Sequence, residues 1–307
     1  IQSKVNYIAG KLDGEKSIWL ETGQKNEVQI YRDGDLVNIV YFYSETGQQK
    51  VDVSFNKDQK KDGEKITWFA NGQIQSKANY AASWLDGEKI TWFANGQIQS
   101  KANYAAGKLD GEKSIWFANG QIQSKVNYIA GKLDGEKSIW LETGQKKEVR
   151  IYRDGDLVNI VYLSPENGNK KAERNYKDGD LVNMVYFYPE NGNKKEDRIY
   201  KDGDLVNIVY FYFENEQIES VIGYKKDQLS GKSTFWNTDG QKFFQANYKA
   251  NKLNGELTIW HKNGLKEEES NYKDGDLIDK TIFKYSFFTN KLKSKKKYKD
   301  NKCISGC

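Results

Sequence analysis

The chain has 307 residues, 37% of them hydrophobic and 30% charged, with only two prolines and a net charge of +5. Apolar content this low points toward disorder, but aromatics make up 14% of the residues at fixed positions, which excludes it. The 48 basic residues are nearly balanced by 43 acidic ones, which excludes a nucleic-acid footprint, and no apolar run approaches the roughly 20 residues of a membrane-spanning helix.

A 24-residue unit recurs twelve times, each copy opening on an aromatic from Tyr7 and Tyr31 through to Tyr248 and Tyr272, with one 25-residue interval between Phe55 and Tyr80. Residues 1–41 return at 122–162 with two differences, Asn26/Lys147 and Gln29/Arg150. A fixed period of this size marks a repeat architecture whose unit must stack on its neighbours to bury its apolar side chains. The chain opens Ile-Gln-Ser-Lys, without Met and in mid-repeat, so it is expected to be a trimmed form of something longer. On that expectation Ile1–Tyr7 is the second strand of a hairpin, an unprotected edge through which two copies can pair.

The unit Tyr104–Tyr128 shows how each repeat folds. Its first half, through Ile115, Trp116 and Phe117, is rich in β-branched and aromatic residues and ends at Asn119-Gly120, and its second half alternates polar and apolar up to Tyr128. This predicts a β-hairpin closed by a type I′ turn, with φ > 0 at both Asn and Gly. Seven residues after the opening aromatic stands Gly14, Gly87, Gly111, Gly135, Gly231 or Gly255, or in a second version of the unit Asn38, Asn159, Asn183, Asn207 or Asp279. That slot is expected to need φ > 0. Two positions earlier a leucine recurs, as in Leu85 and Leu109, and is expected to plug the connection. The Phe55 unit lacks this leucine and carries the extra residue, so it should be irregular.

Seven tryptophans, Trp19, Trp68, Trp92, Trp116, Trp140, Trp236 and Trp260, lie twelve residues into their units, and Tyr43, Tyr188 and Tyr212 take that slot in the second version. The ladder reads as the spine of a thin, mostly aromatic core; a carbohydrate or peptide groove is the sharper alternative. Trp84 is off register and is expected to be exposed, which makes it a candidate contact. Five Asp-Gly-Asp boxes, from Asp33-Asp35 to Asp274-Asp276, could offer oxygen ligands to Ca²⁺, but they lack EF-hand spacing and Asp-Gly is an ordinary turn pair. No metal or cofactor is expected. His261 fills a slot held by Phe or Leu in sister units, and no Ser/His/Asp or Cys/His set is assembled, so the chain is not expected to be an enzyme.

The last unit, residues 272–298, is degraded as a terminal cap should be. Lys291, Lys293, Lys295, Lys296 and Lys297 crowd there, as a solvated tail, a blunted sheet edge or a contact for an anionic membrane surface. Residues 299–307 read as a tail whose Cys303 and Cys307 are equally consistent with spare thiols and with a small disulfide.

The pattern GKLDGE…WFANGQ, followed by a polar strand ending in Tyr, resembles the MORN-repeat variant family of bacterial proteins over residues 1–285. The resemblance implies an all-β fold: an elongated, twisted, solenoid-like single-layer antiparallel sheet of about twelve stacked hairpins over residues 1–298. It also implies an association with scaffolding, dimerisation and a membrane-proximal location, and the chain is expected to be a non-enzymatic extended interaction or adhesion scaffold that presents its repeats to a protein partner, secreted or at a bacterial cell surface. The rival readings are a cytoplasmic antitoxin-like protein and a membrane-surface binder using Lys291–Lys302.

Overall fold

The computed structural model describes residues 3–212, 214–286, 289–299 and 302–307, so Ile1 and Gln2 of the expected N-terminal edge lie outside the described residues. Among them every regular element is a β-strand, joined to the next by a tight turn. By internal packing the chain divides into two compact units, Ile1–Leu157 and Val158–Cys307.

In the first unit each strand pairs antiparallel with the strands just before and after it in sequence: Trp84–Trp92 lies between Ile74–Ala81 and Ile98–Ala105, and Lys108–Trp116 between Ile98–Ala105 and Ile122–Ile129. The second unit follows the same rule from Asp156–Leu163, whose residues 159–163 pair with Lys170–Lys177, to Lys302–Ser305. Among the described residues, strands within each unit pack mainly on their sequence neighbours, and no second layer of strands lies over either face. This is the expected all-β hairpin array, and it follows from period-2 side-chain alternation in strands separated by glycine turns.

Two kinds of turn alternate. At the connections between hairpins, Ala106-Gly107 has φ of 47° and 80°, and Asp33-Gly34 has 54° and 95°, so these two-residue turns are the type I′ ones. The Asn-Gly turns differ from expectation. Gly72, Gly96 and Gly120 have positive φ but their asparagines do not, and Gly120 N–H donates to Phe117 O while Phe117 N–H donates to Gln121 O. That is a three-residue loop with glycine at its left-handed position. Asparagine serves there through its side chain: Asn95 Oδ1 accepts the Gln97 N–H, and its Nδ2 donates to Ala118 O of the next repeat. Asn71 and Asn119 do the same to Ala94 and Glu142. On the opposite edge Gly107 N–H donates to Leu85 O and Gly131 N–H to Leu109 O. These first-version repeats are thus tied to the next along both turn edges.

The second version of the unit keeps the 24-residue period by compensation. Its loop is one residue longer, with Tyr188 N–H bonded to Asn193 O, while its strand bulge is one residue shorter, since Tyr176 and Asn175 oppose Leu181 and Asn183. In the first version Tyr80 and Ala78 oppose Leu85 and Lys89. Two consequences correct the sequence reading. Gly87 and Gly111 have φ of 92° and 94°, whereas Asn38, Asn159, Asn183, Asn207 and Asp279 have no positive φ, because the shorter bulge removes the need. The one-residue shift also puts Phe42, Phe187 and Phe211, not Tyr43, Tyr188 and Tyr212, at the strand end where tryptophan stands. The irregularity expected at Phe55 is present: Asn56 N–H bonds to Lys60 O, and Asn56 Oδ1 accepts the N–H of Asp58 and Lys60.

The buried residues are not the expected aromatics. Val53, Ala78, Ala102 and Val126 in the first unit, and Ile208, Ala246 and Leu257 in the second, are 0–7% exposed, joined by Ser114, Ser233 and Ser270, while every ladder tryptophan is only partly buried. In a single layer only side chains of the same face can cover a residue, so the smallest residues of the central rows are covered best. Ala102 lies between Lys89 and Lys113, and Val126 between Lys113 and Lys137, whose aliphatic stems cover them while the ammonium groups stay near water.

The C-terminal segment continues the ladder. Leu292–Lys299 pairs with Asp276–Tyr285, and Lys302–Ser305 pairs in turn with Leu292–Lys299. Lys293, Lys295, Lys296 and Lys297 therefore sit on a strand paired on both sides rather than in a tail or on the edge, and Cys303 and Cys307 form a disulfide.

Candidate functional site

Residues 67–99 line a groove of about 610 Å³ in the first unit, on the face that carries Lys89, Thr91, Ser100 and Ala102. Its floor is a row of hydroxyls. Thr67 Oγ1 and Ser76 Oγ lie 2.6 Å apart, and so do Thr91 Oγ1 and Ser100 Oγ of the next repeat. Phe69 and Phe93, each at the close of a hairpin loop, form its walls. Lys65 and Lys89 flank Ala78 beside it, and burial, reinforced by the neighbouring Lys61 and Lys89 charges, pushes the Lys65 ammonium below its ordinary pKa. On the same face Tyr104, Tyr128 and Tyr152 stand opposite Gly87, Gly111 and Gly135, and burial raises the Tyr128 phenol.

The floor comes from a one-residue permutation. These repeats read Ile-Thr-Trp (Ile66-Thr67-Trp68, Ile90-Thr91-Trp92), and their neighbours read Ser-Ile-Trp (Ser114-Ile115-Trp116, Ser138-Ile139-Trp140). Because the strand period is 2, the swap moves the hydroxyl to the other face. Ser114 is accordingly buried on the opposite face, where its Oγ donates to Glu112 at 2.9 Å and Lys125 Nζ meets Glu112 at 2.8 Å.

The opposite face carries a carboxylate–lysine ladder, with Lys77–Glu64 at 2.7 Å and Lys101–Glu88 at 2.6 Å. Lys125 holds the Glu112 carboxyl below its ordinary pKa of 4.5, with Ser114 adding to the effect; Ser17 and then Lys25 do the same for Glu15, and Ser138 and then Lys146 for Glu136. Folding thus favours the ionised form, so the stability these groups contribute is present above their unfolded pKa and is lost as pH falls through the lower folded values. Acidification below about pH 4.5 is expected to lower the melting temperature, and Ser114→Ala with Ser138→Ala should flatten that fall. A melting temperature independent of pH between about 5 and 3 would remove the ladder as a source of stability.

Trp84 is 65% exposed on the turn edge, as its off-register position predicts. Its ring lies over the next turn: a Cβ built on Gly107 would stand 2.7 Å from Trp84 Cε3. In sister units a lysine covers the equivalent glycine, Lys108 over Gly131 and Lys132 over Gly155. Since Gly107 also has a φ of 80°, Gly107→Ala is expected to cost about 1–2 kcal/mol. Part of that cost should return when Trp84→Lys is added, and strict additivity of the two in chemical denaturation would contradict the contact.

The other sequence candidates are spread apart. Lys293, Lys295 and Lys297 alternate as exposed residues along one strand face, Lys296 is partly buried, Lys291 precedes the strand, and Lys295 Nζ sits 5.1 Å from the Phe283 ring centre. His261 Nδ1 lies 3.5 Å from Glu267 Oε2 at the surface. Among the described residues no group of three or more His, Cys, Asp or Glu is placed to hold a metal ion. Two aspartates outside the Asp-Gly-Asp boxes cap the turns that open them: Asp13 Oδ2 accepts the Asp33 N–H, and Asp134 Oδ2 the Asp154 N–H. Sequence reasoning missed Thr67, Ser76, Thr91 and Phe93, and the signal for them was the Ile-Thr-Trp permutation.

No protein of curated function matches the chain. The crystal structure of TcdB2-TccC3-Cdc42 is similar over 93% of this chain and 20% of its own, at 11% identity and a TM-score of 0.18. A protein described as a 6-phosphogluconolactonase from Bacteroides uniformis is similar over 87% of this chain and 91% of its own, at 10% identity and a TM-score of 0.15. The chain spans about a fifth of the length of the TcdB2-TccC3 assemblies it matches, and at these TM-scores neither likeness bears on fold or function. The model of the MORN repeat variant matches at 61–82, 85–106 and 109–130, a narrower span than 1–285 but one that contains the groove residues Thr67, Ser76, Thr91 and Phe93; Trp84 lies between the first two matched segments. Residues 61–130 thus hold three consecutive matches to the MORN repeat variant, which together with the repeated hairpins point to a repeat-based scaffold or binding protein.

Proposed function

We propose that the chain is a non-enzymatic interaction scaffold that presents the hydroxyl-floored, phenylalanine-walled face of residues 61–105 to a protein partner at a bacterial cell surface. The supporting observation is the uncovered face: strands within the unit pack on sequence neighbours, and a groove of about 610 Å³ stays open over Thr67, Ser76 and Thr91. Aromatic walls around polar, hydrogen-bonding floors suit polypeptide recognition, because rings give contact area while hydroxyls fix orientation. The resemblance to the MORN repeat variant, whose wider family is associated with scaffolding and a membrane-proximal location, supports the reading.

A photo-crosslinking side chain placed at Thr91, and a second at Lys249 in the other unit, test the reading in cells that make the full protein. A discrete adduct from Thr91 alone is expected, together with labelling by a membrane-impermeant biotin reagent on intact cells. Equal adducts from both positions would remove the groove, and no labelling would remove the surface location.

A second reading is favoured by the alternation of Lys293, Lys295 and Lys297 as exposed cations on one strand face. It takes this face as an anionic-surface contact. Sedimentation with phosphatidylserine vesicles should then fall on adding about 0.5 M salt and on changing the three lysines to Gln. Unchanged sedimentation would end that reading.

A further inference from the structure

Among the described residues, four of the strands that return from a hairpin loop carry the same local pair, a glutamate followed two residues later by a donor to its carboxylate. Gln29 Nε2 donates to Glu27, Arg150 Nε to Glu148, Arg198 Nε to Glu196 and Ser270 Oγ to Glu268. The two glutamates that meet arginine are deeply buried, Glu148 at 6% and Glu196 at 8% exposed. In the second unit Glu196 lies between Tyr186 and Tyr210 on the neighbouring strands, and the Arg198 guanidinium sits 5.4 Å from the Tyr186 ring centre.

One strand breaks the pattern. In Lys170–Lys177 the arginine is kept as Arg174, also 5.4 Å from a tyrosine ring, that of Tyr162. The glutamate slot holds Ala172, between Tyr162 and Tyr186 as Glu196 is between Tyr186 and Tyr210. Arg174 Nε is buried, and it is one of two such side-chain atoms among the described residues with no hydrogen-bond partner. Buried donors are almost always paired, and the missing acceptor is the carboxylate that sister strands supply. Glu196 is two strands away across Tyr186, roughly 9.6 Å at the normal spacing, and is already bonded to Arg198. Ala172 is only partly buried, so the notch opens to solvent on the uncovered face.

We propose that the Tyr162–Ala172–Tyr186 notch is a receptor for one glutamate side chain of a partner polypeptide, bound by Arg174 as Arg198 binds Glu196. The partner supplies between strands what the sister repeats supply within one. The tyrosine rings hold the aliphatic arm, and the guanidinium takes the carboxylate by a charge-assisted bond. The occupant is a polypeptide because the arrangement reproduced is that of a chain-borne glutamate, arm included. This rests on the protein-partner reading above and adds the chemistry the partner must carry.

The full chain holds five arginines, so labelling with [15N]arginine yields a few resolvable Nε–H signals. The probe is acetyl-Gly-Glu-Gly-amide at about 10 mM, suited to a single charge-assisted contact. The Arg174 signal should shift while those of Arg150 and Arg198 stay in place. The matching glutamine peptide should give no shift, and acetate a smaller one than the glutamate peptide. Ala172→Glu should move the Arg174 signal toward those of Arg150 and Arg198 and abolish the peptide response. Arg174→Lys, which keeps the charge without Nε, should bind several-fold more weakly in peptide titrations. An Arg174 signal unmoved by the peptide, moved equally by the glutamine peptide or by acetate, or unaltered in Ala172→Glu would overturn the proposal. The Thr91 crosslink reports separately: if it persists while the notch stays silent, the notch alone fails.

Discussion

Gly223→Ala is expected to destabilise the second unit by about 3 kcal/mol, the upper end of the usual cost of overpacking. A Cβ at Gly223 would stand 2.4 Å from the Ser230 carbonyl oxygen and 3.2 Å from that of Lys232. Both atoms are backbone, and Ser230 N–H is bonded to Gly223 O at 2.9 Å, so the chain cannot retreat without giving up that bond. Sister repeats hold asparagine here, as at Asn247 and Asn271; in this repeat the strand is interrupted into Gln228–Leu229 and Gly231–Trp236, and Ser230 closes on it. Repeat arrays unfold locally, so amide exchange suits the test better than a global melt. Loss of protection in Ile218–Lys225 and Gly231–Trp236 is expected, and full protection in the variant would contradict the contact.

Trp116→Ala is expected to cost roughly 3 kcal/mol, about what two-thirds of a tryptophan's buried area yields at ~25 cal/mol per Å². The estimate stays below that for a fully enclosed ring, since Trp116 is only partly buried. Trp19 and Trp140 show the setting of these rings, with Lys25 and Lys146 lying 6.0 and 5.1 Å from them and also reaching Glu15 and Glu136. The loss should concentrate in Lys108–Trp116 and Ile122–Ile129. A denaturation midpoint equal to that of the unaltered protein would show that the ladder adds no stability.

The sequence made the hairpins and their order legible because turn glycines and period-2 alternation are local signals. Trp84 was legible for the same reason: a tryptophan outside the ladder register has no slot to fill, and it is exposed. What escaped depends on backbone geometry between strands. Asn-Gly is compatible with a type I′ turn and with a three-residue loop, and only the bond from Asn95 to Ala118 shows why asparagine stands there. The exchange of a bulge residue for a loop residue leaves the period at 24, so counting twelve positions from Tyr31 reached Tyr43 instead of Phe42. Burial escaped because a single layer inverts the usual order: Ala246 is fully covered while the larger Trp260 is not. The groove floor was hidden in an exchange of Thr and Ile that leaves the general pattern intact.

The central claim is that each repeat is held by its sequence neighbours alone, leaving its faces free for a partner. Excising residues 85–108, one full period that rejoins Trp84 to Leu109 in register, tests it most directly by amide exchange of the remaining strands. Protection in Gly14–Trp19, Lys25–Arg32 and Asp35–Phe42 should match that of the intact chain, with changes confined to Ile74–Ala81 and the strand joined to it. Loss of protection throughout the first unit would mean that distant repeats support one another, and would contradict the account.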